Sequence, residues 1–206
     1  MIDFSKMRQK LDDAITYDDP SKAIALAREG LEAAEKEEAL AERMYFSAQL
    51  LMMEEEFEEA IKFLDRAIKY NPKDGAAYND RALCMIELGQ LDDALMFFNR
   101  GIEVEPDFAT IHHNKGWFLN QLGRQAEALE CFYRALELDA KRAVTYENLA
   151  DCLYKSGKTA EAIEAYQQSI SLLSERCVDI RNELTRLINT LKKKSDKTDS
   201  GDKSAK

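Results

Sequence analysis

A step of 34 residues runs through this chain. Gly89, Gly123 and Gly157 keep it, as do Ala60, Ala94, Ala128 and Ala162, and Ala48, Ala82, Gly116 and Ala150. A bulky series, Leu64, Phe98, Phe132 and Tyr166, follows the same step, and Met44, Tyr78, His112 and Tyr146 follow it in another phase. A period of this length marks a supersecondary unit that cannot bury its apolar face alone, so that stacked neighbours must supply the core.

Each period holds two stretches of helical spacing around a turn, for example 76–88 and 91–104 on either side of Gly89-Gln90. Small residues at Ala82 and Ala94 let paired helices approach, while Tyr78, Leu95 and Phe98 fill the space beside them. The glycine ends the first helix, and Pro72 or Pro106 stops the second. With only three prolines and eight glycines in 206 residues, good helix formers dominate and predict an all-α chain.

The series Tyr78, Ala82, Met85, Gly89, Ala94, Phe98, Gly101 and Pro106 resembles the tetratricopeptide repeat family. Four units follow its pattern, at 41–74, 75–108, 109–142 and 143–176. Glu55 replaces the turn glycine in the first, Ala140 and Ser174 replace the closing proline in the last two, and His112 stands where an aromatic is usual. The resemblance implies a right-handed α-solenoid of antiparallel helix pairs. Residues 4–37 read as a degenerate further unit, with Lys22-Ala23-Ile24 and Gly30-Leu31 on its second helix and Asp18-Asp19-Pro20 at its turn. Three extra residues near 38–40 predict a longer join to the next unit.

Beyond the last unit, Cys177, Ile180, Leu184, Leu187, Ile188 and Leu191 repeat at helical spacing. They predict a capping helix at 177–193 that covers the last apolar face and completes a solenoid domain of 1–194. From 195 to 206 the chain turns to Lys, Asp, Ser, Thr and Gly, a composition that cannot offset the entropy of ordering and predicts a disordered tail.

A formal net charge of −10 repels nucleic acid phosphates and anionic lipid, so neither is expected as a partner. The opening MIDFSKMRQK lacks the apolar run of a secretory signal and no stretch is apolar enough to span a bilayer, which predicts a cytoplasmic protein. Cys84, Cys131, Cys152 and Cys177 show no C-x-x-C spacing and read as small apolar side chains kept reduced. His112 and His113 are adjacent, so they lie about 100° apart on a helix and cannot form a same-face metal pair. No nucleophile set, phosphate loop or metal motif occurs, and neither catalysis nor a cofactor or metal is expected.

In the resembled family the first helix of each unit lines a concave side that receives an extended or helical peptide. Carried over by phase, that lining comprises Tyr45, Gln49, Met52 and Met53, then Asn79, Asp80, Leu83 and Glu87. The later units add His113, Asn114, Trp117, Asn120 and Gln121, then Glu147, Asn148, Asp151, Tyr154 and Lys155. Asn114 and Asn148 share one phase and suit a peptide backbone, while Trp117 and Tyr154 suit the role of aromatic anchors, with Trp117 open to a core role as well. Family members that grip the C-terminal carboxylate of heat-shock chaperones need a set of basic residues and an asparagine. Here the matching places hold Arg8, Asp12, Tyr45, Gln49, Asn79, Asp80, His113, Glu147 and Asn148, so acids stand where cations are required. The expected partner is therefore a neutral or basic protein segment held by a monomeric scaffold. The competing expectation is a structural repeat protein that stacks on itself.

Overall fold

The computed structural model of the chain describes residues 2–201, and side chains as far as 194. It is all-α: among the described residues there are eleven helices and no strand. Two compact units divide the chain, the first ending at Ile111 and the second beginning at His112.

In the first unit, α1 (Phe4–Tyr17) pairs with α2 (Pro20–Lys36), α3 (Leu40–Met53) with α4 (Phe57–Tyr70), and α5 (Gly75–Glu87) with α6 (Leu91–Val104). The start of α7 (Ala109–Gln121) closes it. The second unit takes the rest of α7, then α8 (Gln125–Leu138), α9 (Ala143–Lys155), α10 (Thr159–Leu172) and α11 (Val178–Gly201). Within each unit successive helices pack one on the next in the manner of an α-solenoid.

The periodic residues are the core. Leu64, Phe98, Phe132 and Tyr166 are all fully buried, and so are Ala60, Ala94, Ala128 and Ala162. Burial of each large side chain contributes roughly 2–3 kcal/mol, and the small residues make room for it. A Cβ added at Gly116 would lie 3.0 Å from the Phe132 ring and 3.2 Å from the Ala128 carbonyl oxygen, so α7 and α8 cross there at nearly backbone contact.

The turns share one geometry. Gly89, Gly123 and Gly157 take φ of +74, +75 and +79°, and the next residue's N–H reaches back across the turn, as from Gln90 to the Met85 carbonyl at 2.8 Å. Glu55 holds the same left-handed conformation at φ +62°, with Glu56 donating to the Leu51 carbonyl at 2.9 Å. The motif survives without its glycine and carries the steric cost of a Cβ.

At the first join the extra residues do not lengthen the connection as the spacing suggested. They lengthen α2 to 17 residues against 14 in α4, and Glu38 at φ +53° then ends it with the same reverse bond, from Ala39 to the Ala34 carbonyl at 2.9 Å. The Asp18-Asp19-Pro20 turn starts α2 in the expected way: Asp19 accepts the Ser21 N–H at 2.7 Å, and proline holds the first helical position, where its missing N–H costs nothing.

The last helix begins at Val178, packs on α10 and buries Leu184, Ile188 and Leu191. Its backbone continues to Gly201, so part of the segment expected to lack structure is helical. The polar residues there contain no proline, and a helix anchored by Leu191 propagates at one hydrogen bond per added residue. The end of the expected tail, 202–206, lies outside the described residues.

Two stability measurements probe these features. Urea unfolding of Glu55→Gly should show a gain of about 1 kcal/mol, because glycine removes the left-handed penalty. No gain would mean the Glu55 side chain offsets its own strain. Ala128→Leu should lose about 1–3 kcal/mol by overpacking the α7–α8 crossing, and a melting temperature equal to the parent's would remove that crossing from the account.

Candidate partner-binding site

In the first unit the inner positions close on themselves. Arg8 projects from α1 and donates through both terminal nitrogens to the two carboxylate oxygens of Asp74, each at 2.8 Å. Its Nε donates to Glu42 at 2.9 Å, and its guanidinium lies 3.7 Å from the centroid of the Tyr45 ring. Asp74 also caps α5 by accepting the Ala77 N–H at 3.1 Å. One carboxylate thus starts a helix and receives a cation 66 residues away.

Beside this pair lies a second carboxylate, Asp80. Gln49 donates to one of its oxygens at 2.5 Å, Asn79 donates to the other at 2.8 Å, and the Tyr45 hydroxyl also reaches it. Burial pushes the Asp80 carboxyl up to about 6, with Asp12 adding to the rise, while the bonds from Asn79 and Tyr45 and the charge of Arg8 work against it.

Tyr45, Gln49 and Asn79 are therefore buried, at 7, 4 and 2% exposure, and do not line an open surface. Tyr45 and Gln49 bond from α3 across to Asp80 on α5, and Asn79 bonds to the same carboxylate from its own helix. Leu83 remains half-buried.

In the second unit His113 behaves likewise. Its Nδ1 is 3.0 Å from the Thr145 hydroxyl and its Nε2 is 3.4 Å from the Asn148 amide nitrogen. The amide can only donate, so Nε2 accepts and the proton sits on Nδ1, pointing at Thr145. Burial, helped by the charge of Arg142, pushes His113 down to about 3 and keeps it neutral. Asn120 is buried too, and no described residue donates to its Oδ1.

What stays accessible is a band on α7 and α9. Asn114, Trp117 and Asn148 are half-buried, and Asp151 and Tyr154 are exposed. Asp151 accepts the Tyr166 hydroxyl from α10, which fixes its orientation. Glu147 is half-buried, and burial together with the charges of Asp151 and Glu183 raises its carboxyl above the usual range. Trp117, half-buried, thus lies between the two roles open to it.

Burial raises Cys84 to about 12 and also lifts Cys131 and Cys152, away from the thiolate. Among the described residues no group of three His, Cys, Asp or Glu side chains is arranged to hold a metal, and no helix is long and apolar enough to cross a membrane.

Family models described as tetratricopeptide repeat match residues 51–113 and 107–175. No curated protein sequence matches. Solved structures do. A thermophilic TPR protein of Thermus thermophilus superposes with a TM-score of 0.70 at 17% identity, over 89% of this chain and 98% of that one. YrrB, described as a TPR protein with an unusual peptide-binding site, gives 0.57 at 17% identity over 89% and 92%. MamA of Desulfovibrio magneticus gives 0.56 at 18% identity over 84% and 96%. At these identities the likeness is one of fold.

The two buried titrating groups have opposite linkage to stability. Asp80 rises from 3.8 to about 6, so its contribution is present below the unfolded value and is lost as pH rises through 6. His113 falls from 6.5 to about 3, so its contribution is present above the unfolded value and is lost as pH falls toward 3. Relative to the parent, Asp80→Asn should gain on the order of 3 kcal/mol more at pH 7 than at pH 4, and His113→Gln should fare better at pH 4 than at pH 7. Urea titrations at both pH values check this, and a pH-independent difference in either variant rules out that burial effect.

Proposed function

Because this chain belongs to the tetratricopeptide repeat family, we propose that it is a non-catalytic scaffold that holds a neutral or basic protein segment along the accessible band of its second unit. The observation that carries this is the difference between the two inner faces. The first unit spends Tyr45, Gln49 and Asn79 on internal bonds, whereas Asn114, Trp117, Asn148, Asp151 and Tyr154 of the second unit retain exposed surface.

An extended segment laid on this band exchanges backbone hydrogen bonds with the two asparagine amides and covers Trp117. Asp151 and Glu147 disfavour an acidic ligand, and so does the overall charge of −10. In the first unit Arg8 is already engaged by Asp74 and Glu42, which argues against capture of a chaperone's terminal carboxylate there. The peptide-binding site named for YrrB supports the class of activity. Four free cysteines suit a reducing, cytoplasmic setting.

Ordering a flexible segment takes up part of the contact energy, so the dissociation constant should be on the order of micromolar. The test is the double variant Asn114→Ala with Asn148→Ala, measured by calorimetry against a captured partner while circular dichroism follows the helices. Loss of binding in a folded double variant is the expected result. Unchanged binding moves the site to another surface, and sedimentation as a concentration-dependent oligomer would favour self-stacking instead.

A further inference from the structure

The accessible band ends at Tyr154, and a cation from the chain itself already rests there. Leu191 anchors α11 in the core at 1% exposure, and Lys194, one turn further on, lies on the same side of the helix. Its Nζ is 3.4 Å from the Tyr154 hydroxyl and 6.0 Å from the ring centroid, while Tyr154 remains 39% exposed. That ring distance is the outer limit of a cation–π contact, and an exposed pair at such separation exchanges readily.

The surroundings select a positive charge. Asp151 is exposed one turn before Tyr154 on α9, and Glu147 lies one turn before that. The Glu147 carboxyl is raised first by burial and then by the charges of Asp151 and of Glu183 on α11. From α10 the Tyr166 hydroxyl, a neutral donor, bonds to Asp151.

We propose that Tyr154 is the seat for a lysine side chain of the bound segment, and that Lys194 is the internal occupant this lysine displaces. The proposal rests on the groove reading above and sharpens it: the partner segment carries a lysine, and the end of α11 sets the threshold for its entry. Lysine fits because a compact ammonium on a flexible stem can donate to the Tyr154 hydroxyl from beyond the end of the ring, as Lys194 does.

The experiment uses the full chain and a synthetic acetyl-Gly-Lys-Lys-Lys-Gly-amide peptide, with its norleucine counterpart as control, in calorimetric titrations. The lysine peptide should bind and the norleucine peptide should not. Lys194→Ala should tighten binding about threefold by removing the competitor. Tyr154→Ala should weaken it by at least that factor, and Tyr154→Phe should fall between, since the ring remains. Equal binding of the two peptides, no binding of either, or affinities unmoved by both Lys194→Ala and Tyr154→Ala in folded chains overturns the proposal. If Asn114→Ala with Asn148→Ala abolishes capture of the partner while the Tyr154 and Lys194 variants change nothing, the groove stands and the lysine seat falls. The reverse pattern removes the groove and leaves the seat.

Discussion

Close approach of helix backbones is the constraint on which this protein depends. Where α7 meets α8, Gly116 leaves room for the Phe132 ring and the Ala128 carbonyl, and where α5 meets α6, Gly101 faces Ile111 and Tyr78 with no space for a methyl group. The aromatic side chains reach full burial only because a small residue recurs opposite them. Each stack therefore depends on paired choices: enlarging the small partner breaks the crossing, and shrinking the large one leaves a void.

That pairing explains why the fold was legible in the sequence. Steric demands at a helix crossing repeat once per unit, so they write themselves as a period, and the series through Ala94, Phe98 and Gly89 marked helices, crossing and turn together. The turn at Glu55 shows the limit of reading by residue type. The backbone keeps its left-handed residue because the flanking helices fix the path, and the glycine is a convenience there. Similarly, the insertion near residue 38 went into α2, since one further helical turn costs less than an unpaired loop.

The inner faces were less legible, for a physical reason. Phase tells which way a side chain leaves its own helix, and says nothing of what meets it. Tyr45, Asn79 and His113 leave α3, α5 and α7 at one phase, yet Tyr45 reaches Asp80 on the next first helix and His113 reaches Thr145 and Asn148. The link from Arg8 to Asp74 was hidden for the same reason: its two ends occupy different places in their units, so no repeat of 34 connects them. The sequence placed Arg8 among the positions matched to carboxylate-gripping relatives, without showing that it is a strut.

One further consequence follows from the position of Trp117. It is the only indole in the chain, it sits half-buried on α7, and it belongs to the second unit. Intrinsic fluorescence on tryptophan excitation is therefore an optical label for that unit alone, while far-ultraviolet dichroism sums every helix in both. The two signals divide the unfolding of the molecule between its halves without any added probe, and their coincidence or separation measures whether the stack melts as one cooperative body.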